Sequence, residues 1–146
     1  MEECIFCRVG RGDFGTEFLH EDEFVVAFRD IHPAAPVHVL VIPRQHVTAA
    51  WELDQSHGFM LARMFVAANE ATVKTGINES GFRLVINSGR DAGQSVDHLH
   101  MHVLGGERMG WPPFPPPPQS HDPQEAQEPL DSPEGGDHDD ASNGNI

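Results

Sequence analysis

The segment that most constrains how this chain folds is DHLHMHVLGG, in which histidine alternates with apolar residues. The histidines are His98, His100 and His102, and Gly105 ends the alternation. A β-strand has a side-chain period of two, so the pattern predicts a strand over residues 96–104 with three imidazoles on one face. Successive histidines would then lie about 7 Å apart along the strand.

Three alternating histidines favour chemistry at phosphorus over two simpler explanations. An exposed polar face would accept Thr, Lys or Glu equally well. A metal site made from the three alone is weakened because the first and third lie too far apart to chelate one ion together. Imidazole is nucleophilic and largely neutral near pH 7, so it can attack phosphorus without a separate base. The nearby Gly89, Gly93 and Ser95 could bring N–H and hydroxyl donors to a phosphate.

The rest of the compact region predicts short strands and one long helix. Runs rich in β-branched and aromatic residues predict strands at 23–30, 37–42 and 82–87. Apolar residues spaced by three and four predict an amphipathic helix over 54–75, ended by Gly76. These residues are Leu61, Met64, Phe65, Ala68 and Ala71. This order of elements predicts the α+β class, with an antiparallel sheet and a helix on one face.

The C-terminal part of the chain differs in composition from the rest. Nine of the twelve prolines lie at or after Pro112, and from Gln119 onward there are eight acidic residues and no Lys or Arg. Such a segment cannot bury enough apolar surface to offset the entropy lost on folding. We therefore predict a folded domain at residues 1–113 and a proline-rich, then acidic, disordered tail at residues 114–146.

Charge and hydropathy exclude several classes of partner. The net charge is −14, and residues 1–118 still carry 15 acidic against 9 basic side chains, which argues against a nucleic-acid partner. No apolar run approaches the roughly 18 residues of a membrane span, and the N-terminus lacks the regions of a signal peptide. Cys4 and Cys7 are too close together in sequence for a disulfide between them to cross-link distant parts of a domain, and both would be reduced in a cytosol. We expect a cytoplasmic protein with no membrane partner.

Four segments together closely resemble the Hint-like branch of the histidine triad (HIT) nucleotide-binding proteins. These are CIFC, AFRDIHPAAPVHVLVIPRQH, NSGRDAGQSVDHLHMHVLGG and MGWPP, and they cover about Cys4 to Pro113. The resemblance implies an antiparallel five-stranded sheet with one long helix, dimerising into a continuous ten-stranded sheet. It also implies a homodimer that binds purine nucleotides such as AMP conjugates and hydrolyses nucleoside phosphoramidates or acyl adenylates.

The resemblance also assigns catalytic roles. It implies that His100 is the nucleophile that forms a nucleotidyl-histidine intermediate, with its ring oriented by the backbone carbonyl of His98. His102 and Ser95 would contact the α-phosphate or the leaving group, and His38 would complete the set from a neighbouring strand.

The nucleotide-binding residues follow from the same comparison. Asp30 would hold the ribose hydroxyls, although an aspartate at a strand end is often only a turn former. Ile5, Phe6 and Ile31 would sandwich the base, although Phe6 and Ile31 could equally be ordinary core residues. The phosphate side would be lined by Asn87, Gly93 and Gln94.

The Cys-x-x-Cys pair is half of a tetrahedral zinc site. The resemblance implies that His46 and His98 complete the set with Cys4 and Cys7. Such a zinc would be structural, and the chemistry would require no cofactor. The alternative is a reduced thiol pair without metal.

The leading hypothesis is therefore a nucleotide-binding hydrolase or transferase that cleaves a bond to the α-phosphate of a purine nucleotide. Two alternatives remain open. One is a dinucleoside polyphosphate hydrolase, and the other is a non-catalytic nucleotide-binding scaffold whose tail recruits a partner.

Overall fold

The structure, a computed structural model, describes residues 3–113 of the 146-residue chain. Every helix and strand in this described part lies in one compact unit, Met1–Met109. Residues 110–113 belong to a second unit. The predicted tail, residues 114–146, lies outside the described residues, so its disorder and the domain boundary at residue 113 stay predictions.

The described part contains two α-helices and one antiparallel sheet. The elements in chain order are α1 (Ile5–Gly10), β1 (Phe18–Glu21), β2 (Val25–Arg29), β3 (Val37–Pro43), α2 (Gly58–Thr75), β4 (Phe82–Ile86) and β5 (Met101–Gly105). The strands are hydrogen-bonded in the order β1-β2-β3-β5-β4. The predicted α+β class, with a five-stranded antiparallel sheet and one long helix, is confirmed.

Helix α2 begins later than its periodicity predicts. Asp54 accepts a hydrogen bond from the Ser56 N–H and caps a 3-10 turn, and the α-helix starts only at Gly58. It ends as predicted at Gly76, whose φ of 81° is accessible to glycine without strain. Phe65 is half exposed and not part of the core, because Met64, Ala67 and Ala68 are the residues of this turn that face the sheet.

The two faces of the sheet have different cores. Helix α2 covers one face, and its side chains pack on alternate residues of β2, β3 and β5. Helix α1 covers part of the other face, where Phe6 and Val9 pack on Phe28 and Leu40. This second, smaller core forms part of the wall of the cleft described below.

A carboxylate fastens α2 to the turn between β1 and β2. Asp22 accepts hydrogen bonds from the N–H groups of Phe24 and Val25 and from the guanidinium of Arg63 in α2. His20 places a ring nitrogen 2.8 Å from the same carboxylate. Burial opposes ionisation of Asp22, but the hydrogen bonds from His20, Phe24 and Arg63 outweigh it and hold its pKa well below the usual range.

The prediction of one strand over residues 96–104 is wrong in its first half. Strand β5 starts at Met101, and the preceding residues leave the ladder. In the register of β3 with β5, Leu99 would lie opposite Pro43, which has no N–H to donate. The N–H of Leu99 bonds instead to the carbonyl of Val47 at 2.6 Å. His98 therefore does not share a strand face with His102.

Periodicity predicts neither α1 nor β1. Six and four residues are too few to establish a helical or strand period, and both elements are held by the packing of their side chains. Among residues 3–113, no helix combines the length and the apolar character needed to cross a bilayer.

Candidate active site

A cleft of about 460 Å³ opens on the face of the sheet that carries α1. This is within the size range of small-molecule sites. Seven of the predicted site residues line it, namely Ile5, Phe6, Asp30, Ile31, Ser95, His100 and His102. The cleft therefore brings together residues that are up to 97 positions apart in the chain.

His100 is fixed by a single main-chain group. Its Nδ1 lies 2.7 Å from the carbonyl oxygen of His98, and the residue is 2 % exposed. A carbonyl oxygen can only accept, so Nδ1 carries the hydrogen and Nε2 keeps its lone pair. The ring also packs edge-on against Phe6, with centroids 5.2 Å apart. The geometry matches that expected for the predicted nucleophile, a role that stays a prediction here.

A second main-chain group sets the proton positions of two further histidines. The N–H of Ala34 donates to Nδ1 of His38 at 2.9 Å, so the proton of neutral His38 must be on Nε2. That nitrogen lies 2.8 Å from Nδ1 of His102, which must therefore accept. The remaining nitrogen of His102, Nε2, then carries a hydrogen, in a residue that lines the cleft.

Burial keeps this histidine pair neutral. It lowers the pKa of His38, although the carboxylate of Asp30 partly opposes the shift. Burial also lowers the pKa of His102 to about 4, with further lowering from His100 and His38. Both rings are therefore uncharged near pH 7, which the one-directional hydrogen-bond chain requires.

Asp30 lies just beyond the end of β2, at the edge of the cleft. One carboxylate oxygen accepts from the N–H of His32 at 2.8 Å, and the other lies 3.4 Å from Nε2 of His38. The turn role and the proposed ribose role are thus compatible, because only one oxygen serves the turn. Ile5 and Ile31 flank the cleft with 52 % and 86 % of their surfaces exposed. Phe6 is buried in the smaller core and also contributes to the wall.

The loop that precedes β5 is held by its own side chains. Gln94 accepts a hydrogen bond from the N–H of Gly89 and donates to the carbonyls of Thr48 and Val96. Trp51 packs so closely on Gly89 that an added Cβ would lie 3.1 Å from the indole ring. Because the amide of Gln94 bonds to the main chain of the loop and to Thr48, its side chain holds the loop in shape and in place.

Three predicted phosphate-side residues stand apart from the cleft wall. Among the described residues, those that line the cleft do not include Asn87, Gly93 or Gln94. Asn87 directly follows β4, and Gly93 has a φ of 77° in the loop. Their contact with a phosphate stays a prediction. His38 is likewise outside the wall and reaches it through His102.

The sequence patterns miss eight further residues of the wall. They are Val9, Phe14, Thr16, Phe28, Arg29, His32, Leu40 and Val96. Phe28 could have been found, since it shares the two-residue period of β2 with Asp30. Phe14 and Thr16 lie in an irregular segment and have no such signal. The guanidinium of Arg8 lies 4.6 Å from the ring centroid of Phe14.

The four predicted metal ligands converge although they come from three separate segments. The ligand atoms of Cys4, Cys7, His46 and His98 all lie within 4.8 Å of one another. Sulfur-to-nitrogen distances are 3.3, 3.4 and 3.6 Å, and the two Nδ1 atoms are 3.2 Å apart. Tetrahedral zinc with ordinary bond lengths requires edges of about 3.6 Å and about 3.3 Å respectively. The donor set and spacing therefore fit a zinc ion.

The hydrogen position on His98 is also the one that a zinc ligand requires. Nε2 of His98 lies 2.8 Å from the carbonyl oxygen of Pro43 and so carries the hydrogen, which leaves the Nδ1 lone pair for the cluster. Burial raises the pKa of the Cys7 thiol to about 11, and the adjacent Cys4 adds to the shift. The thiolate form of Cys7 is therefore disfavoured unless a cation lies beside it.

A second group of potential ligands does not fit a metal. Asp30, His38 and His102 also place ligand atoms within 4.8 Å of one another. However, Nδ1 of His38 accepts from the N–H of Ala34, so its Nε2 must keep the proton that a metal would have to displace. A neutral imidazole cannot use both nitrogens as acceptors. This group is better described as a hydrogen-bond chain.

Comparison with known proteins identifies the family of the chain. The sequence profile of the HIT domain matches residues 11–109. The chain is 39 % identical over 109 residues to the purine nucleoside phosphoramidase of Escherichia coli, covering 75 % of this chain and 92 % of that protein. Among solved structures it resembles a HIT family hydrolase from Legionella pneumophila, with a TM-score of 0.73, 38 % identity and coverage of 77 % and 100 %.

A HIT family hydrolase from Clostridium thermocellum gives a TM-score of 0.72 at 44 % identity, with 75 % of this chain and 96 % of that one covered. The profile match spans more than half of the sequence, and the relatives are covered over nearly their whole length. The chain therefore belongs to the HIT domain family, and it is a hydrolase of that family.

Proposed function

We propose that this hydrolase cleaves the bond between the α-phosphate of a purine nucleotide and an amine or carboxylate leaving group, as in a phosphoramidate or an acyl adenylate, through a nucleotidyl-histidine intermediate on His100. The observation that carries the proposal is the hydrogen bond from Nδ1 of His100 to the carbonyl of His98. It leaves Nε2 with a lone pair in a residue that lines the cleft. The name of the Escherichia coli relative supports a purine nucleoside phosphoramidate as substrate.

The reaction has two steps. In the first, Nε2 of His100 attacks the α-phosphorus and the bond to the leaving group breaks, while the leaving amine takes up one proton from solvent. The Nε2–H of His102 donates a hydrogen bond to the leaving atom or a phosphate oxygen and stabilises the charge that develops there. In the second step, water attacks phosphorus, the bond to His100 breaks, and one proton is returned to solvent. Ser95 supplies a further hydroxyl donor at the wall of the cleft.

Binding of the nucleoside is proposed to use the polar and apolar ends of the cleft. The Asp30 oxygen that the turn does not use is available to the ribose hydroxyls, and AMP is the simplest ligand with this chemistry. The exposed Ile5 and Ile31 offer flat apolar contact to a base, which an ordinary core position would not. We propose that Asn87 and Gly93 contribute main-chain or side-chain donors on the phosphate side, and that Gln94 acts by shaping the loop.

We further propose that Cys4, Cys7, His46 and His98 hold a structural zinc ion. When bound, zinc would supply four ligand bonds that join α1 to the segment before β5, and the chemistry at phosphorus would not use it. The tetrahedral spacing and the His98–Pro43 hydrogen bond support this assignment. The two cysteines are free thiols, as a ligand pair requires, which suits a reducing compartment such as the cytoplasm.

A homodimer is proposed because the sheet has an edge that a second copy could extend. Strand β4 is at one end of the strand order, and α2 exposes Phe65 and Val73 by 49 % and 63 %. Pairing of β4 with its symmetry mate would give one ten-stranded sheet. Light scattering after size exclusion should give twice the chain mass, and a monomer at micromolar concentration would refute the dimer.

The function is tested with a fluorogenic adenosine phosphoramidate and His100→Asn. Turnover should fall by at least a thousandfold, because the nucleophile is removed, while AMP affinity measured by calorimetry stays within a few fold. The control is His57→Asn, a histidine outside the cleft, which should retain wild-type turnover. Rapid quench of the wild type should capture an adenylyl adduct on the protein. Wild-type turnover by His100→Asn would refute the mechanism.

The same assay separates the alternatives. A dinucleoside polyphosphate hydrolase would turn over a diadenosine polyphosphate faster than the phosphoramidate. A scaffold would bind AMP without hydrolysing either compound.

A further inference from the structure

The histidine end of the cleft offers both hydrogen-bond donors and an acceptor to a phosphate group. Nε2 of His102 carries a hydrogen, because Nδ1 of this ring accepts from His38. The hydroxyl of Ser95 is a second donor at the wall. Nε2 of His100, by contrast, keeps its lone pair, because Nδ1 donates to the carbonyl of His98. A phosphate oxygen that faces His100 therefore meets an acceptor, unless that oxygen carries a hydrogen itself.

This end of the cleft also has little positive charge. Burial lowers the pKa of His38 and lowers the pKa of His102 to about 4, so neither ring is charged near pH 7. The carboxylate of Asp30 lies 3.4 Å from Nε2 of His38. Within residues 3–113, Arg29 is the one Lys or Arg of the wall. The alternation of β2 directs its side chain to the sheet face opposite Phe28.

The basic and titratable groups of the adjoining segments are engaged or exposed. On α1, the guanidinium of Arg8 lies 3.5 Å from the carboxylate of Asp13. In the loop before β5, Arg90 is almost fully exposed and pairs with the aspartate that follows it. His32 is exposed in the turn at Asp30, to which its N–H donates. In the part of the chain that the structure describes, none of these segments places an unpaired cation beside the nucleophile.

Substrate and product differ in the charge of their α-phosphate. In a nucleoside phosphoramidate or an acyl adenylate this group carries one negative charge throughout the neutral range. The phosphate of AMP is a monoester with a second pKa of about 6, so it is mostly a dianion at pH 7. The product therefore brings one more charge into the site than the substrate does.

The surroundings of His100 disfavour that second charge. The residue is buried, and its ring packs edge-on against Phe6 and His102, with centroids 5.2 and 5.0 Å apart. A dianion facing a protonated ring would put three charges into this environment, whereas a monoanion facing a neutral ring puts in one. Removal of charges from water is costly, so the arrangement with fewer charges is favoured.

We propose that the site selects an α-phosphate with a single negative charge, and that it binds AMP only as the monoanion, whose P–OH group donates a hydrogen bond to Nε2 of His100. The phosphoramidate needs no such proton, because its leaving nitrogen replaces one phosphate oxygen. His100 thereby has a second role, in which it distinguishes product from substrate by charge. This rests on the proposed function, in which the α-phosphate lies at His100.

The consequence is a product affinity that falls as the pH rises. About half of free AMP is the monoanion at pH 6, but only about 1 % at pH 8. The Kd for AMP should therefore increase about fiftyfold between these values. Once the bound product loses its proton to solvent, its phosphate opposes the lone pair of His100, which favours release.

The experiment measures the binding of two ligands to the full chain by calorimetry at pH 6, 7 and 8. AMP is compared with its 5′-phosphate methyl ester, which keeps the nucleoside but carries one charge at every pH, and whose methoxide is too poor a leaving group to be displaced. The Kd for AMP should rise about fiftyfold from pH 6 to pH 8, and that for the ester less than twofold. In buffers of different ionisation enthalpy at pH 7, AMP should take up about 0.9 proton and the ester none.

Phosphorus NMR shows where this proton is held. Bound AMP at pH 7 should have the chemical shift of the monoanion, whereas a proton on an imidazole would leave the shift of the dianion. His100→Asn replaces the lone pair by an amide that also donates, so this variant should bind the dianion. Its Kd for AMP should be near the wild-type value at pH 6 and rise less than threefold by pH 8. The control His57→Asn, outside the cleft, should retain the full pH dependence.

A Kd for AMP that does not change with pH would overturn the proposal, because the site would then accept two charges. The dianion shift for bound AMP would overturn it as well. So would an unchanged pH dependence in His100→Asn, because another group would then hold the proton, and so would an absence of AMP binding at pH 6. Failure of the proposed function would look different, since the wild type would bind AMP with uptake of a proton but would hydrolyse no phosphoramidate.

Discussion

The pKa of His102 offers the most direct test of the hydrogen-bond chain at the cleft. Burial, with help from His100 and His38, lowers this pKa to about 4. At pH 5 about a tenth of His102 would then be protonated, whereas a histidine with the ordinary pKa of about 6.5 would be about 97 % protonated. The protonated fraction of His102 at pH 5 therefore distinguishes a lowered pKa from an ordinary one.

The assay is a pH titration of the full chain labelled with carbon-13 at the histidine ring, followed by NMR. The His102 signal, assigned with His102→Asn, should keep its neutral position down to about pH 5. Asp30→Asn provides a second test, because the Asp30 carboxylate raises this pKa and its removal should lower the midpoint further. A midpoint near pH 6.5, or an upward shift in Asp30→Asn, would refute the reasoning.

The same shift has a consequence for stability. The folded pKa of His102 is lower than the unfolded one, so protonation favours the unfolded chain. Its contribution to stability is complete above about pH 6.5 and is lost as the pH falls toward 4. Circular dichroism must therefore accompany the titration, to show that the chain is still folded at the lowest pH used.

Two further predictions concern parts of the molecule outside the triad. Asp22→Asn should lower the free energy of unfolding by about 2–3 kcal/mol in urea at pH 7, because it replaces a carboxylate that accepts several hydrogen bonds. The difference from wild type should shrink as the pH falls below about 4, and a loss no greater than that of the exposed Asp91→Asn would contradict it. Gln94→Glu should raise the KM for the phosphoramidate about tenfold, because it sets a carboxylate against the carbonyl of Thr48. Steady-state kinetics measure this against Gln55→Glu, and an unchanged KM would show that Gln94 does not shape the site.

Much of the fold could be predicted because its main elements have regular patterns. Alternation and β-branched residues predict β2, β3 and β4, and spacing by three and four predicts α2. The irregular residues 96–100 could not be predicted from the same rule. The ladder ends just before the point where Leu99 would face Pro43, a residue 55 positions before His98 in sequence, and such a meeting exists only in the folded register.

The residues of the candidate site also fall into a group that the sequence identifies and a group that it does not. Residue identities, together with the family resemblance, select seven of the residues that line the cleft and all four residues of the cysteine–histidine cluster. Phe14 and Thr16 escape detection because no local period places them at the wall. The predicted lining roles of Gly93 and Gln94 depend on how the loop folds, which local spacing does not specify.

The sequence by itself determined which side chains are present and which strand and helix periods they follow, since both are local properties. Only the tertiary structure decided what each histidine can do. An imidazole carries its hydrogen on the nitrogen that faces an acceptor, and for His98, His100 and His38 the deciding partner is a main-chain group. The carbonyl of His98 leaves Nε2 of His100 free to attack, and the N–H of Ala34 makes His102 a donor through His38. The carbonyl of Pro43 turns Nδ1 of His98 toward the cysteines.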